Sequence, residues 1–173
     1  PLFRSIVWLG GSKDTLTMPK TVKIENCPNL VEVDLSDQRV KNLEIENCPQ
    51  IKYLTCNYHK LSSLNLDLPL LEVLDCGGGV LKELDLSHFP ALKRLYCNDN
   101  ELSDIDLKKC SNLVELGCSS NELVELDVSN NTKLKSLNCD YNYDLETIWV
   151  WDGFDPSTFD EWLVPEGVKF MKK

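Results

Sequence analysis

The sequence lacks any apolar run near the roughly 18 residues that a membrane-crossing helix requires, so no membrane insertion is expected. No signal-peptide pattern is recognisable. The chain opens on PLFRSIVWLGG without an initiator Met, as expected of a removed leader or a trimmed start. Positive charge is scarce: 18 Lys and Arg stand against 28 Asp and Glu, a formal charge of −10. A nucleic-acid ligand needs cationic side chains to displace counterions from phosphate, and anionic lipid needs them too. Neither partner fits. Histidine occurs twice, as His59 and His88, and no Ser or Cys nucleophile with an activating histidine is recognisable. Close CxxC pairs are also missing, which weakens a zinc site.

Cysteine, by contrast, is plentiful, with eight in the chain. Five form a series, Cys56, Cys76, Cys97, Cys118 and Cys139, at intervals of 20, 21, 21 and 21 residues. A fixed period of this size marks a solenoid, in which each turn of chain is one restarted unit. Thiols in adjacent coils would lie about 4.8 Å apart. In-register parallel strands send both Cβ atoms the same way, which is poor geometry for a disulfide. The better reading is a column of small buried hydrophobes. Cys27, Cys48 and Cys110 form a second set at the repeat starts, where Leu68, Phe89 and Asn131 stand in other coils.

Aligned on these positions, six repeats start at Cys27, Cys48, Leu68, Phe89, Cys110 and Asn131 and share the pattern xPxLxxLxCxxNxLxxLxLxx. In the first half, Leu95 and Cys97 alternate with Arg94, Tyr96 and Asn98, the period of two of a half-buried strand. Stacking should pair these strands into a parallel sheet. The second half alternates again: Leu126 and Val128 point in, while Glu125 and Asp127 point out, so extended segments should line the opposite side. No repeat has room for a helix.

Asn100, Asn121 and Asn142 each follow the strand cysteine by three residues, where the chain turns inward. A buried Asn can both donate to and accept from backbone groups, and such a ladder keeps turn amides paired. Gln38 and His59 hold the same column earlier, and Gly79 breaks it.

Residues 1–26 are expected to form an N-terminal cap: a SIVWL strand (5–9), a Gly10-Gly11-Ser12 turn, Pro19, and a half-repeat over 22–26. Residues 27–151 hold the six repeats. Residues 152–173 are expected to cap the far end. There, Asp155-Pro156 reads as a helix start and PSTFDEWL as a short helix with Phe159, Trp162 and Leu163 on one face. Trp149, Phe159 and Trp162 are expected to pack in this cap, and VKFMKK to end it as a strand.

The segment LKRLYCNDNELSDIDL (92–107) resembles the leucine-rich-repeat core LxxLxLxxNxL, with Cys97 in the third leucine position. The resemblance covers roughly residues 22–151, six full repeats and a half. The 20–21-residue period and LDLS-like second halves resemble the internalin-like repeats of bacterial surface proteins, and the ending from Thr147 is similar to their C-terminal caps. The helical N-terminal cap of that family has no match here. The resemblance implies a mainly β leucine-rich-repeat solenoid with a parallel sheet, a non-helical second side and a short C-terminal capping helix. It further implies a binding module without catalysis, placed extracellularly or on a cell surface, that meets a protein or carbohydrate; no cofactor is expected, and the chain is expected to be a monomer.

In such repeats the ligand usually meets the exposed side chains of the main sheet. The alternation puts Glu32, Tyr53, Val73, Arg94, Glu115 and Ser136 in one exposed column, and Asp34, Thr55, Asp75, Tyr96, Gly117 and Asn138 in the next. A third holds Ser36, Asn57, Gly77, Asn98, Ser119 and Asp140. Tyr and Arg are enriched where interfaces are strongest, so Tyr53, Arg94 and Tyr96, with Asp75, Asn98 and Asn138, are the candidate ligand-binding residues; the alternative is a solvated face with incidental aromatics. Gly77-Gly78-Gly79, directly after the one 20-residue interval, reads as a tight turn with a shallow notch beside Tyr58 and Asp99.

The second-half face is acidic (Glu44, Glu46, Glu83, Asp85, Asp104, Asp106, Glu125, Asp127). It reads as a solvated surface, with calcium as the alternative; no metal site is assigned. Two other readings compete with recognition: an architectural spacer in a larger surface protein, and a parallel β-helix enzyme using paired carboxylates on polysaccharide. The enzyme reading is disfavoured, because active sites break a repeat pattern and these acids follow it.

Overall fold

The computed structural model describes residues 4–7 and 21–173. The SIVWL strand appears in it as β1 (Ser5–Val7). The expected continuation through Trp8 and Leu9, the glycine turn and Pro19 lie outside the described residues. Strands then follow in chain order: β2 (Thr21–Glu25), β3 (Glu32–Asp34), β4 (Asn42–Glu46), β5 (Tyr53–Thr55), β6 (Ser63–Leu64), β7 (Val73–Asp75) and β8 (Glu83–Leu84). After them come β9 (Arg94–Tyr96), β10 (Glu115–Gly117), β11 (Glu125–Asp127), β12 (Ser136–Asn138), β13 (Thr147–Val150), β14 (Glu161–Leu163) and β15 (Lys169–Lys172).

The alternation in each first half produces one parallel sheet of eight strands, ordered β1-β3-β5-β7-β9-β10-β12-β14. Register follows the repeat: Val33, Leu54, Leu74, Leu95, Leu116 and Leu137 align in one column. All six are buried. Their outward neighbours align as Glu32, Tyr53, Val73, Arg94, Glu115 and Ser136. The opposite side carries three smaller parallel sheets, β2-β4, β6-β8 and β11-β13-β15. The fold is thus a leucine-rich-repeat β-solenoid, with Leu, Ile, Val and the cysteine column filling its interior.

The column cysteines continue the sheet's hydrogen bonding by one residue. Each N–H donates to the next coil: Cys56 to the Asp75 carbonyl, Cys76 to Tyr96, Cys97 to Gly117 and Cys118 to Asn138, each at 2.8 Å. Their side chains are fully buried and their thiols are free. Cys27 alone among the eight is half-buried. Burial pushes the thiols of Cys56, Cys97 and Cys139 up to about 12, and those of Cys76 and Cys118 well above their ordinary value.

The exit end departs from expectation. The segment read as a helix is a single 3-10 turn, Pro156–Thr158, in which the Asp155 carboxylate accepts from the Ser157 N–H at 2.9 Å. The chain then straightens into β14 and joins β12. The free edge of β12 decides this. Asp160 N–H donates to Lys135 at 2.7 Å, and Cys139 N–H to Leu163 at 2.9 Å, whereas an isolated helical turn would have to bear its nucleation cost alone. Trp162 therefore occupies the leucine column beside Leu137, and Leu163 faces outward and is exposed.

Phe154 centres the exit cluster, with ring centroids 5.2 Å from Trp151, 5.7 Å from Phe159, 5.3 Å from Trp162 and 5.9 Å from Phe170. Trp149 is not in it. It lies on the outer face of β13, where its Nε1–H donates to Glu125 at 3.0 Å and the Lys173 ammonium sits 4.5 Å from the ring centre.

Candidate functional site

The turn that follows each column cysteine holds the site's edge in place. Asp37, Tyr58, Asp99, Ser120 and Tyr141 all have left-handed φ values, between 53° and 61°, and Gly78 completes the column at 67°. This conformation turns the chain inward so that the next side chain, the ladder Asn, enters the core. The Nδ2 of Asn100 donates to the Cys76 and Cys97 carbonyls at 3.0 and 3.1 Å, and its Oδ1 accepts from the Leu81 N–H at 3.0 Å. Asn121 and Asn142 repeat the arrangement one and two coils on.

Gly79 interrupts the column because its space is already filled. A Cβ there would lie 2.1 Å from His59 Cε1 and 2.7 Å from Asn100 Oδ1. His59 bridges the gap: its Nδ1 accepts from the Leu61 N–H at 2.9 Å, and its Nε2 lies 3.0 Å from the Cys76 carbonyl. These partners require the neutral tautomer protonated on Nε2. Burial pushes its pKa below the ordinary value. Gln38 serves the same column through its Nε2–H to the Ser36 carbonyl.

On the outer face the candidate residues divide into two groups. Arg94 and Tyr96 leave the same strand on the same side, and both reach Glu115 on β10. Arg94 Nε lies 3.4 Å from Glu115 Oε1, and the Tyr96 hydroxyl donates to Glu115 Oε2. Burial, then the bond to Glu115, raises the Tyr96 phenol to about 12. Gly117 makes this lean possible, because a Cβ there would stand 3.2 Å from the Tyr96 ring and 3.0 Å from the Asn98 amide. Tyr53 stands one strand beyond Val73 from Arg94 and is 41% exposed. Asn138 stands apart, past Gly117, with its Oδ1 accepting from the Asp140 N–H.

The second group, Asp75 and Asn98, lines with Tyr96 a hollow of about 410 Å³ at the rim of the sheet. Asn57, Tyr58, Gly77, Gly78 and Asp99 complete its lining. Asp75 is held by the Gly77 N–H on Oδ1 and the Asn57 amide on Oδ2, each at 3.2 Å. Glu115 and Asn57 are the residues that the exposed-face reading had not singled out. Their signal was present, since Glu115 pairs with Arg94 in the first column and Asn57 with Asp75 across coils.

The acidic second side carries smaller hollows, of about 240 Å³ beside Asp85 and His88 and about 270 Å³ between Glu83 and Asp106. Asp85 and Asp106 accept the N–H two residues ahead, from Ser87 at 2.9 Å and Lys108 at 3.0 Å, so they serve as turn acceptors. Among the described residues, no group of three His, Cys, Asp or Glu side chains is placed to hold a metal ion, and no helix is long and apolar enough to cross a membrane.

The chain has the leucine-rich-repeat fold, in the short-repeat form with a non-helical second side that its internalin-like pattern anticipates. Among solved structures it is similar to the functional domain of InlJ from Listeria monocytogenes, which includes a cysteine ladder. There the TM-score is 0.54 and the identity 21%, over 84% of this chain and 40% of that one. It is also similar to YopM from Yersinia enterocolitica, with a TM-score of 0.63 and 21% identity over 84% of this chain and 38% of that one. The chain thus spans about two fifths of each of those chains. No family model and no curated protein sequence matches it.

Proposed function

We propose that this chain is a non-catalytic recognition module that meets a protein or glycan on the outer face of its main sheet, in an extracellular or cell-surface setting. The observation that carries the reading is the Arg94–Glu115–Tyr96 cluster, bordered by exposed Tyr53 on one side and by the hollow at Asp75 and Asn98 on the other. The shared contact with Glu115, an ion pair for Arg94 and a hydrogen bond for Tyr96, reduces the rotamer freedom of both, so less entropy is lost when a ligand docks. The repeated acids of the second side, in contrast, repeat coil after coil and present no such break in pattern.

The test uses the intact protein to capture a ligand by pull-down and on a glycan array, followed by titration with variants. Arg94→Ala and Tyr53→Ala alter exposed side chains, so folding should persist. Each is expected to weaken binding about tenfold or more, the loss of a strong interface residue. Unchanged affinity in both, with folding intact, removes the proposed face.

A further inference from the structure

The hollow beside the Gly77-Gly78-Gly79 turn has the composition of a small-ligand site. Three observations bear on what it takes. First, side chains are trimmed where the walls need room. A Cβ on Gly78 would lie 2.7 Å from the Tyr58 ring, and one on Gly117 would press the Asn98 amide and the Tyr96 ring. The glycines thus let two aromatic rings and one amide border the same space.

Second, the polar groups there are oriented. Asn98 Oδ1 accepts from both the N–H and the hydroxyl of Ser119 at 3.0 Å, which fixes the amide and leaves Nδ2 as a donor with no partner among the described residues. The Asp75 carboxylate is pinned from two sides and retains further acceptor capacity. A fixed donor and a fixed acceptor therefore border one hollow, with tyrosines at its walls.

Third, charge narrows the ligand class. No Lys or Arg lines the hollow, while Asp75 and Asp99 do, so phosphate, sulfated sugars and uronic acids are repelled. Carboxylates and backbone would leave a purely apolar ligand facing unpaired polar groups. No three-ligand metal group is present among the described residues. A neutral pyranose satisfies what remains: its C–H face packs on an aromatic ring, and adjacent hydroxyls donate to a carboxylate and accept from an amide. The volume lies within the roughly 300–1,000 Å³ of small-ligand sites.

We infer that this notch binds a neutral sugar unit of a glycan, seated against Tyr58 and hydrogen-bonded by Asp75, Asn98 and Asp99. The inference rests on the recognition reading and specifies the ligand's chemistry. The probes are cellobiose, lactose, maltose and N,N′-diacetylchitobiose, followed by saturation-transfer NMR and titration against the full chain. A sulfated disaccharide and a lysine-rich peptide serve as charge controls.

At least one neutral disaccharide should show saturation. Its Kd should rise tenfold or more in Tyr58→Ala and in Asp99→Ala, both on exposed or rim positions, and stay unchanged in Tyr143→Ala, which is remote from the notch. No saturation by any neutral sugar overturns the inference, as does indifference to both notch variants or preference for either charged probe. If the sugars fail while Arg94→Ala still abolishes capture of a protein ligand, recognition by the sheet face stands and the sugar assignment falls. If sugars bind through Tyr58 while Arg94→Ala and Tyr53→Ala change nothing, the notch stands without the neighbouring face.

Discussion

The Asn121 amide spans one coil of the solenoid: its Nδ2 donates to the Cys97 carbonyl at 3.0 Å, 24 residues earlier in the chain. The same group donates to Cys118 of its own coil at 3.1 Å, and its Oδ1 accepts from the Leu102 N–H at 3.0 Å. One side chain thus ties backbone groups of two coils together at the inward turn. Because the site's rim is the outer surface of these same turns, the ladder sets the spacing of the notch and of the sheet columns beside it.

Removing that tie should be costly. Asn121→Ala leaves buried carbonyls and the Leu102 N–H without their partner, and each orphaned group costs about 1–3 kcal/mol. A loss of at least ~3 kcal/mol is expected in urea unfolding. The surface change Lys109→Ala should stay within about 0.5 kcal/mol. A loss under ~1 kcal/mol for Asn121→Ala would show that the ladder is not what holds the coils.

The ladder also contains its own pH sensor. His59 is buried and neutral, with a folded pKa depressed below 6.5 by desolvation. The unfolded chain therefore takes up a proton near pH 6.5 while the folded chain does not. This group leaves stability unaffected above that pH and lowers it progressively as pH falls towards the folded value. Carboxylates such as Glu72, held low by hydrogen bonds from Lys93 and Lys52, lose their contribution only further down, near pH 4 and below. Urea midpoints at pH 7.5, 6.5 and 5.5 should show a decline that flattens in His59→Asn. An identical slope in that variant would assign the decline elsewhere.

The left-handed column predicts a stabilising change. Ser120 sits at φ 53° and its N–H donates to the Asp140 carbonyl at 3.0 Å. A non-glycine residue in this region bears roughly 1–2 kcal/mol of strain, whereas Gly adopts it freely but loses more chain entropy on folding. The backbone bond survives substitution, so Ser120→Gly should gain about 0.5–1 kcal/mol in urea unfolding. Gly78→Ala should lose stability, because its Cβ meets the Tyr58 ring as well as the unfavourable φ.

Much of the architecture was legible because each coil restates it. The alternation around Leu95 and Cys97 predicted the inward column, and the outward register of Tyr53, Val73 and Arg94 followed from the same count. The exit segment carries no such repetition. Phe159, Trp162 and Leu163 have a spacing that a helix face and a strand leaving a turn both permit, and the free edge of β12, distant in sequence, chose the strand. Trp149 was misplaced for a similar reason, since its partners Glu125 and Lys173 come from two other coils. At the candidate site, the glycine run and the Arg94–Glu115 pairing could be read from the columns. The lean of Tyr96 towards Glu115 could not, because it depends on the space that Gly117 leaves in a neighbouring coil.

The cysteine column makes a last prediction, about reactivity rather than stability. Thiolate is the reactive form, and burial raises Cys56, Cys97 and Cys139 to about 12 and Cys110 to about 11. At pH 8 this leaves on the order of 10⁻⁴ to 10⁻³ of each as thiolate, and their side chains are also shielded from reagent. Native protein treated with a thiol-exchange chromogen should therefore titrate rapidly at one position, the half-buried Cys27. In guanidinium all eight should react. Cys27→Ser should abolish the fast native phase without changing the slow one. Three or more thiols reacting in the folded chain at the rate of a free thiol would mean that the coils open on that timescale, and that the column is not the sealed packing its position in the core requires.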